Sequence, residues 1–89
     1  MNVRELRSGL KKLDVVEDRS GHHVYFYLEI DKREYRICKL SHSMRGELPS
    51  FIKSDTAKRM KLNSSELSAL VDCLLDKNAF LTFWKLRDP

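Results

Sequence analysis

Residues 20–30, SGHHVYFYLEI, set two adjacent histidines, His22 and His23, between a glycine and an alternating aromatic and aliphatic run. Imidazole has an unperturbed pKa of about 6.5, which makes histidine the side chain best matched to moving a proton near neutral pH. The chain holds three histidines, the third being His42. No thiolate or carboxylate accompanies them at metal-ligand spacing, and adjacent strand residues point to opposite faces, so the pattern predicts no metal and no cofactor. There is no glycine-rich phosphate loop, and no serine has a histidine and an acid arranged around it. What remains is proton transfer by a lone imidazole, or a structural histidine at a strand end.

The surroundings of the histidines point further. Tyr25 and Tyr27 share a predicted strand face with His23, and Arg19, Arg36, Lys39, Arg45, Lys53, Lys58, Arg59 and Lys61 lie in neighbouring elements. Cations neutralise phosphates and tyrosines stack on unpaired bases, so these residues form a candidate RNA-facing surface. The tyrosines serve equally well as cross-strand packing partners. Seventeen Lys and Arg against thirteen Asp and Glu leave a net charge of +4 and a pI near 9.2, a moderate bias toward polyanions.

These residues need elements to hold them. With 89 residues, 42% of them hydrophobic and only three glycines and two prolines, the chain reads as one small domain over 1–89 with a modest core and no large cleft. Val3, Leu6, Leu10 and Leu13 recur at spacings of three and four, which predicts an amphipathic helix over 2–13, slightly weakened by Gly9. Val15 and Val16 open a short strand ending at Ser20-Gly21. In the next strand Val24, Phe26, Leu28 and Ile30 alternate with His23, Tyr25, Tyr27 and Glu29. A turn at Asp31-Lys32-Arg33 returns the chain into EYRICKL, so 23–40 reads as an antiparallel hairpin.

Residues 41–47 read as a loop, and Pro49 as the first residue of a helix reaching Met60. Asn63 and Glu66 form a capping-box pattern, with Leu62 and Leu67 at the hydrophobic-staple positions. Leu67, Leu70, Val71, Leu74 and Leu75 are expected to make the apolar face of that helix, and DKNAFLTFWKL a further short one. The expected fold class is α+β: a three-stranded antiparallel sheet packed against helices, order α-β-β-β-α-α, with a helical extension over 72–89. Cys38 and Cys73, without a CxxC pair or a signal-peptide pattern, are expected to be core thiols in a reducing cytoplasm. No stretch approaches the roughly 18 apolar residues of a membrane span.

RSGHHVYF, a second strand ending in KLSHSMRGEL, and then LPSFIKSDTAKRMKLNSSEL together resemble the HicA-type toxins, small mRNA interferases of toxin–antitoxin pairs. The resemblance implies a fold like the double-stranded-RNA-binding domain over a family-like core at 2–71. It also implies metal-independent endoribonuclease activity on mRNA and a cognate HicB-like antitoxin as partner. His22 matches the family's catalytic histidine and would act as general acid or base, with His23 a possible secondary group. LSHS resembles the family's histidine-containing strand end. The order here is Ser20-Gly21-His22 where the family has Gly-Ser-His, and Lys61 stands where it usually has a glycine. RNA supplies its own nucleophile, the 2′-hydroxyl, so one proton-moving group and nearby cations suffice without a deep pocket. Two other readings stand beside this one: a non-catalytic RNA-binding module with structural histidines, and a protein-interaction subunit whose aromatic tail, with Phe80, Phe83 and Trp84, is the working surface.

Overall fold

The computed structural model describes residues 1–87. Its elements are α1 (Val3–Lys11), β1 (Val16–Asp18), β2 (His23–Ile30), β3 (Arg33–Ser41), α2 (Ser50–Arg59), α3 (Ser64–Val71) and α4 (Lys77–Leu86). The architecture is α+β, with the three strands forming one antiparallel sheet in the order β1-β2-β3. The capping box expected at Asn63 and Glu66 is present, and α1 has one that was not expected. Asn2 and Glu5 close a reciprocal capping box on α1, and Asn63 and Glu66 do the same on α3.

The alternation in β2 decides its register. Val24, Phe26, Leu28 and Ile30 are buried and join one core cluster with Leu6, Leu10, Leu67, Leu70 and Phe80 from the helices. His23, Tyr25 and Tyr27 lie on the opposite, open face. The β2–β3 turn has only two central residues, Asp31 and Lys32, both with positive φ (51° and 66°), the geometry of a tight two-residue hairpin.

β3 does not alternate throughout. Phe26 pairs with Cys38 and Tyr27 with Arg36, so Ile37 is an extra residue in the ladder. This bulge buries Ile37 and Cys38 together and reverses the parity of the strand. Its consequence is that Arg36 and Lys39, three positions apart, both reach the open face. A regular strand would send them to opposite sides.

Three expectations are corrected. Pro49 occupies the N-cap of α2, one residue before its first helical position. α3 ends at Val71, and Cys73 takes a positive φ of 65°, so Leu74 leaves the apolar face and stands 81% exposed. Cys73 is exposed for the same reason, while Cys38 is a core thiol whose ionisation burial pushes up. The aromatic tail, open by sequence either to cover the core or to form an interface, covers the core through Phe80 and Trp84, while Phe83 is half-buried and Leu86 exposed. Phe80 and Trp84 close the core, Trp84 packing edge-on against Tyr35 at 4.9 Å between ring centroids.

Candidate functional site

β1 ends, β2 begins and β3 ends at the same edge of the sheet, because antiparallel pairing sets His23 opposite Ser41 and Asp18 opposite Tyr25. That geometry gathers all three histidines of the chain at one place. His22 lies in the bend before β2, outside the strand, and is exposed. A strand regular from residue 22 would have turned it toward the core with Val24 and Phe26. The bend removes that conflict.

The bend is pinned from both sides. Asp18 Oδ1 accepts from the Ser20 hydroxyl at 2.7 Å and from the Ser20 backbone N–H at 2.9 Å. Those two bonds, the hydroxyl's first, hold the Asp18 carboxyl below its usual range. On the other side His42 Nε2 donates to the Gly21 carbonyl at 2.8 Å. A carbonyl can only accept, so Nε2 carries the proton and Nδ1 keeps the lone pair when the ring is neutral. His42 therefore fixes the turn that presents His22.

Beside this turn runs a groove of about 670 Å³, lined by five cations, Arg4, Arg7, Lys11, Arg19 and Arg45, together with His42. α1 supplies three of them from one face, at positions 4, 7 and 11. Arg45 is brought alongside because the β3–α2 loop is stitched to the chain start. Val3 N–H donates to Gly46 O at 2.8 Å and Leu48 N–H to Met1 O at 3.0 Å, with Gly46 supplying the positive φ of 75° that the loop needs. One carboxylate, Glu17, holds Arg7 and Arg19 at 2.9 Å each and fixes those two guanidinium groups in place. Arg4, Lys11 and Arg45 form no salt bridge among the described residues. Of the five cations only Arg19 and Arg45 are expected from the sequence. The i, i+3, i+7 spacing of Arg4, Arg7 and Lys11 was the available signal.

The expected aromatic surface exists as a row on the open sheet face. His23 and Tyr25 lie 6.2 Å apart and Tyr25 and Tyr27 6.4 Å apart between ring centroids. Arg36 sits over the Tyr25 ring at 5.4 Å, and Lys39 pairs opposite Tyr25 across the strands. His23, Lys39, Met44 and Phe51 line a second cleft of about 420 Å³ between this face and α2.

The cations of α2 and the turn after it are not gathered there. Arg59 pairs with Asp55 at 3.0 Å and lines a hollow with Tyr27 and Arg36. Lys58 and Lys61 line another groove with Arg87. Lys61 is engaged structurally: its Nζ donates to Trp84 O at 3.2 Å and lies 4.1 Å over the Trp84 ring. Its φ is 61°, a left-handed position that glycine fills at no steric cost. Lys53 is half-buried on α2 and lines none of these clefts.

The chain matches no known family model, no curated protein and no solved structure. Function is therefore read from the arrangement of its own residues. Among the described residues no group of three or more His, Cys, Asp or Glu is placed to hold a metal ion, and no helix is long and apolar enough to cross a membrane.

Proposed function

We propose that this chain is a HicA-like, metal-independent endoribonuclease, the toxin of a toxin–antitoxin pair, with His22 as the proton-transfer group. The observation that carries the reading is the exposed His22 on a doubly pinned bend whose neighbours Arg19 and His42 line a groove of five cations, His22 itself lying outside that lining. The groove supplies positive potential for the phosphodiester backbone, and α1 and the stitched loop hold its walls in place before any ligand arrives. In the reaction the RNA 2′-oxygen bonds to the adjacent phosphorus as the P–O5′ bond breaks. One proton leaves the 2′-hydroxyl and one reaches the 5′-oxygen; His22 moves one of them and solvent water the other. Cationic side chains offset the charge gathering on the phosphoryl oxygens. The protein partner on this reading is a HicB-like antitoxin, and the site of action is the cytoplasm.

A second reading, a non-catalytic RNA-binding module, is favoured by the His23–Tyr25–Tyr27 row with Arg36 over it, since stacking and charge need no proton transfer.

One experiment separates them. On the catalytic reading His22→Ala lowers the rate of RNA cleavage by about a hundred- to ten-thousand-fold, leaves folding and RNA affinity nearly unchanged, and abolishes growth arrest on expression. His23→Ala has the smaller effect, and a chelator changes nothing. A His22→Ala protein that cleaves as well as the parent refutes the assignment. A parent that binds RNA without cleaving it establishes the second reading instead.

A further inference from the structure

The cationic groove lined by Arg19 and His42 and the cleft between the open sheet face and α2 share one lining residue, Met44, so the two adjoin. Their chemistry differs sharply. The groove is walled by cations, whereas the cleft presents Phe51, Met44 and the His23 ring, with Lys39, Ser41 and Asp55 among its polar groups. Phe51 is 73% exposed and contributes nothing to the core, although it stands on a helix that packs against β3. An exposed aromatic with no packing role, next to a cationic groove, is the arrangement that single-stranded nucleic-acid sites use to stack a base while the backbone is held alongside.

We propose that this cleft is a nucleobase subsite, holding one unpaired base of the RNA whose backbone lies in the adjoining groove. The inference rests on the functional reading above and specifies its substrate as a strand with at least one base turned out of a helix. Three observations support it. The volume, about 420 Å³, is at the small end of ligand sites and suits a single planar ring system. The lining balances the Lys39 ammonium against the Asp55 carboxylate, unlike the cation-walled groove beside it, and so offers a phosphate less than the groove does. Asp55 uses Oδ2 to accept from Arg59 Nε at 3.0 Å, and its Oδ1 makes no hydrogen bond among the described residues. That oxygen can accept from an exocyclic amino group, while the Lys39 ammonium can donate to a ring nitrogen or carbonyl. Acceptance from an exocyclic amino group favours adenine, cytosine and guanine, whereas uracil can offer Asp55 only its ring N3–H.

The test compares equilibrium binding of a short single-stranded RNA and of the same backbone with an abasic site at each position in turn. Phe51→Ala lowers affinity for the intact RNA by about tenfold or more, the loss of one stack. It leaves the slope of affinity against salt unchanged, because no phosphate contact is removed. Lys11→Ala does the reverse, flattening that slope. At one abasic position the parent falls to the affinity of Phe51→Ala, and the variant loses nothing further there. Phe51→Tyr restores binding, and Asp55→Asn narrows the preference against uracil. Phe51→Ala binding as tightly as the parent overturns the base subsite while leaving cleavage by His22 standing. An equal loss on every abasic strand overturns it too, since the cleft would then hold something other than a base. A parent with no affinity for any RNA overturns both the subsite and the functional reading.

Discussion

Gly9 sits inside α1, where alanine would ordinarily be better by about 1 kcal/mol, and the structure explains why glycine is there. A Cβ at this position would meet Val71 Cγ2 at 2.8 Å and Val71 Cα at 3.2 Å, because α1 and α3 cross here with their backbones close together. The first contact is shorter than real methyl contacts allow. The second is with backbone, which yields only if a helix moves. Overpacking of this kind costs about 1–3 kcal/mol, so against the propensity gain Gly9→Ala should be net destabilising by up to about 2 kcal/mol. Removing the offending methyl relieves part of the clash. In a Val71→Ala background the 2.8 Å contact is gone while those to the Cα and Cβ of residue 71, at 3.2 and 3.4 Å, remain, so Gly9→Ala should cost clearly less there than in the parent. Urea unfolding followed by the single tryptophan, Trp84, which is buried against Tyr35 and Phe80, reads all four corners of the cycle. A coupling energy near zero, or a Gly9→Ala protein more stable than the parent, refutes the close approach of α1 and α3. The same shift would move Arg4, Arg7 and Lys11, so the fold defect and the groove defect should appear together.

Two further outcomes concern stability. Phe26 is fully buried at the centre of β2, and Phe26→Ala should cost about 3–5 kcal/mol, a large share of the roughly 5–13 kcal/mol expected for a domain of this length. Thermal unfolding at an undiminished midpoint would show the register of β2 to be wrong. Glu66 has its carboxyl lowered from 4.5 to about 2, first by the Arg87 guanidinium and then by the Asn63 backbone N–H. A depressed folded-state value means that this stabilisation is complete above about pH 4.5 and is lost as pH falls toward 2. Both side chains are partly exposed, so solvent screening limits it to about 1 kcal/mol. Urea midpoints at pH 7 and pH 3 should therefore converge for the parent and Glu66→Gln as pH drops, and a gap that stays constant would count against the pair.

The fold was legible where local signals were redundant. α1 carried apolar periodicity, α3 periodicity together with a capping box, and β2 strict alternation beside a hairpin turn, so the local signals agreed with the fold. The failures fell where one residue changes the geometry of the next few. Reading ICKL as a regular strand cannot show that Ile37 is an extra residue, because Ile37 and Cys38 are both apolar and either parity buries one of them. Extending α3 through Leu74 and Leu75 follows the leucine spacing, but spacing is blind to the left-handed turn at Cys73.

The candidate site was legible as a composition and not as an arrangement. Counting cations near the histidines gives equal weight to Lys61 and Arg45, yet the fold commits Lys61 to Trp84 and leaves Arg45 in the open groove. What separates them is whether a tertiary acceptor lies within reach, and such acceptors come from segments distant in sequence, here α4. Conversely, Arg4, Arg7 and Lys11 read as the solvated side of an amphipathic helix because nothing local says what stands opposite them. The loop that brings Arg45 there is fixed by backbone bonds to Met1 and Val3, which no side-chain pattern announces. Histidine pairing shows the same limit. His22 and His42 are far apart along the chain, and only the antiparallel register of β2 and β3 makes one hold the turn of the other. The proton-transfer role proposed for His22 depends on that support, since an imidazole free to wander loses the positional advantage that catalysis requires.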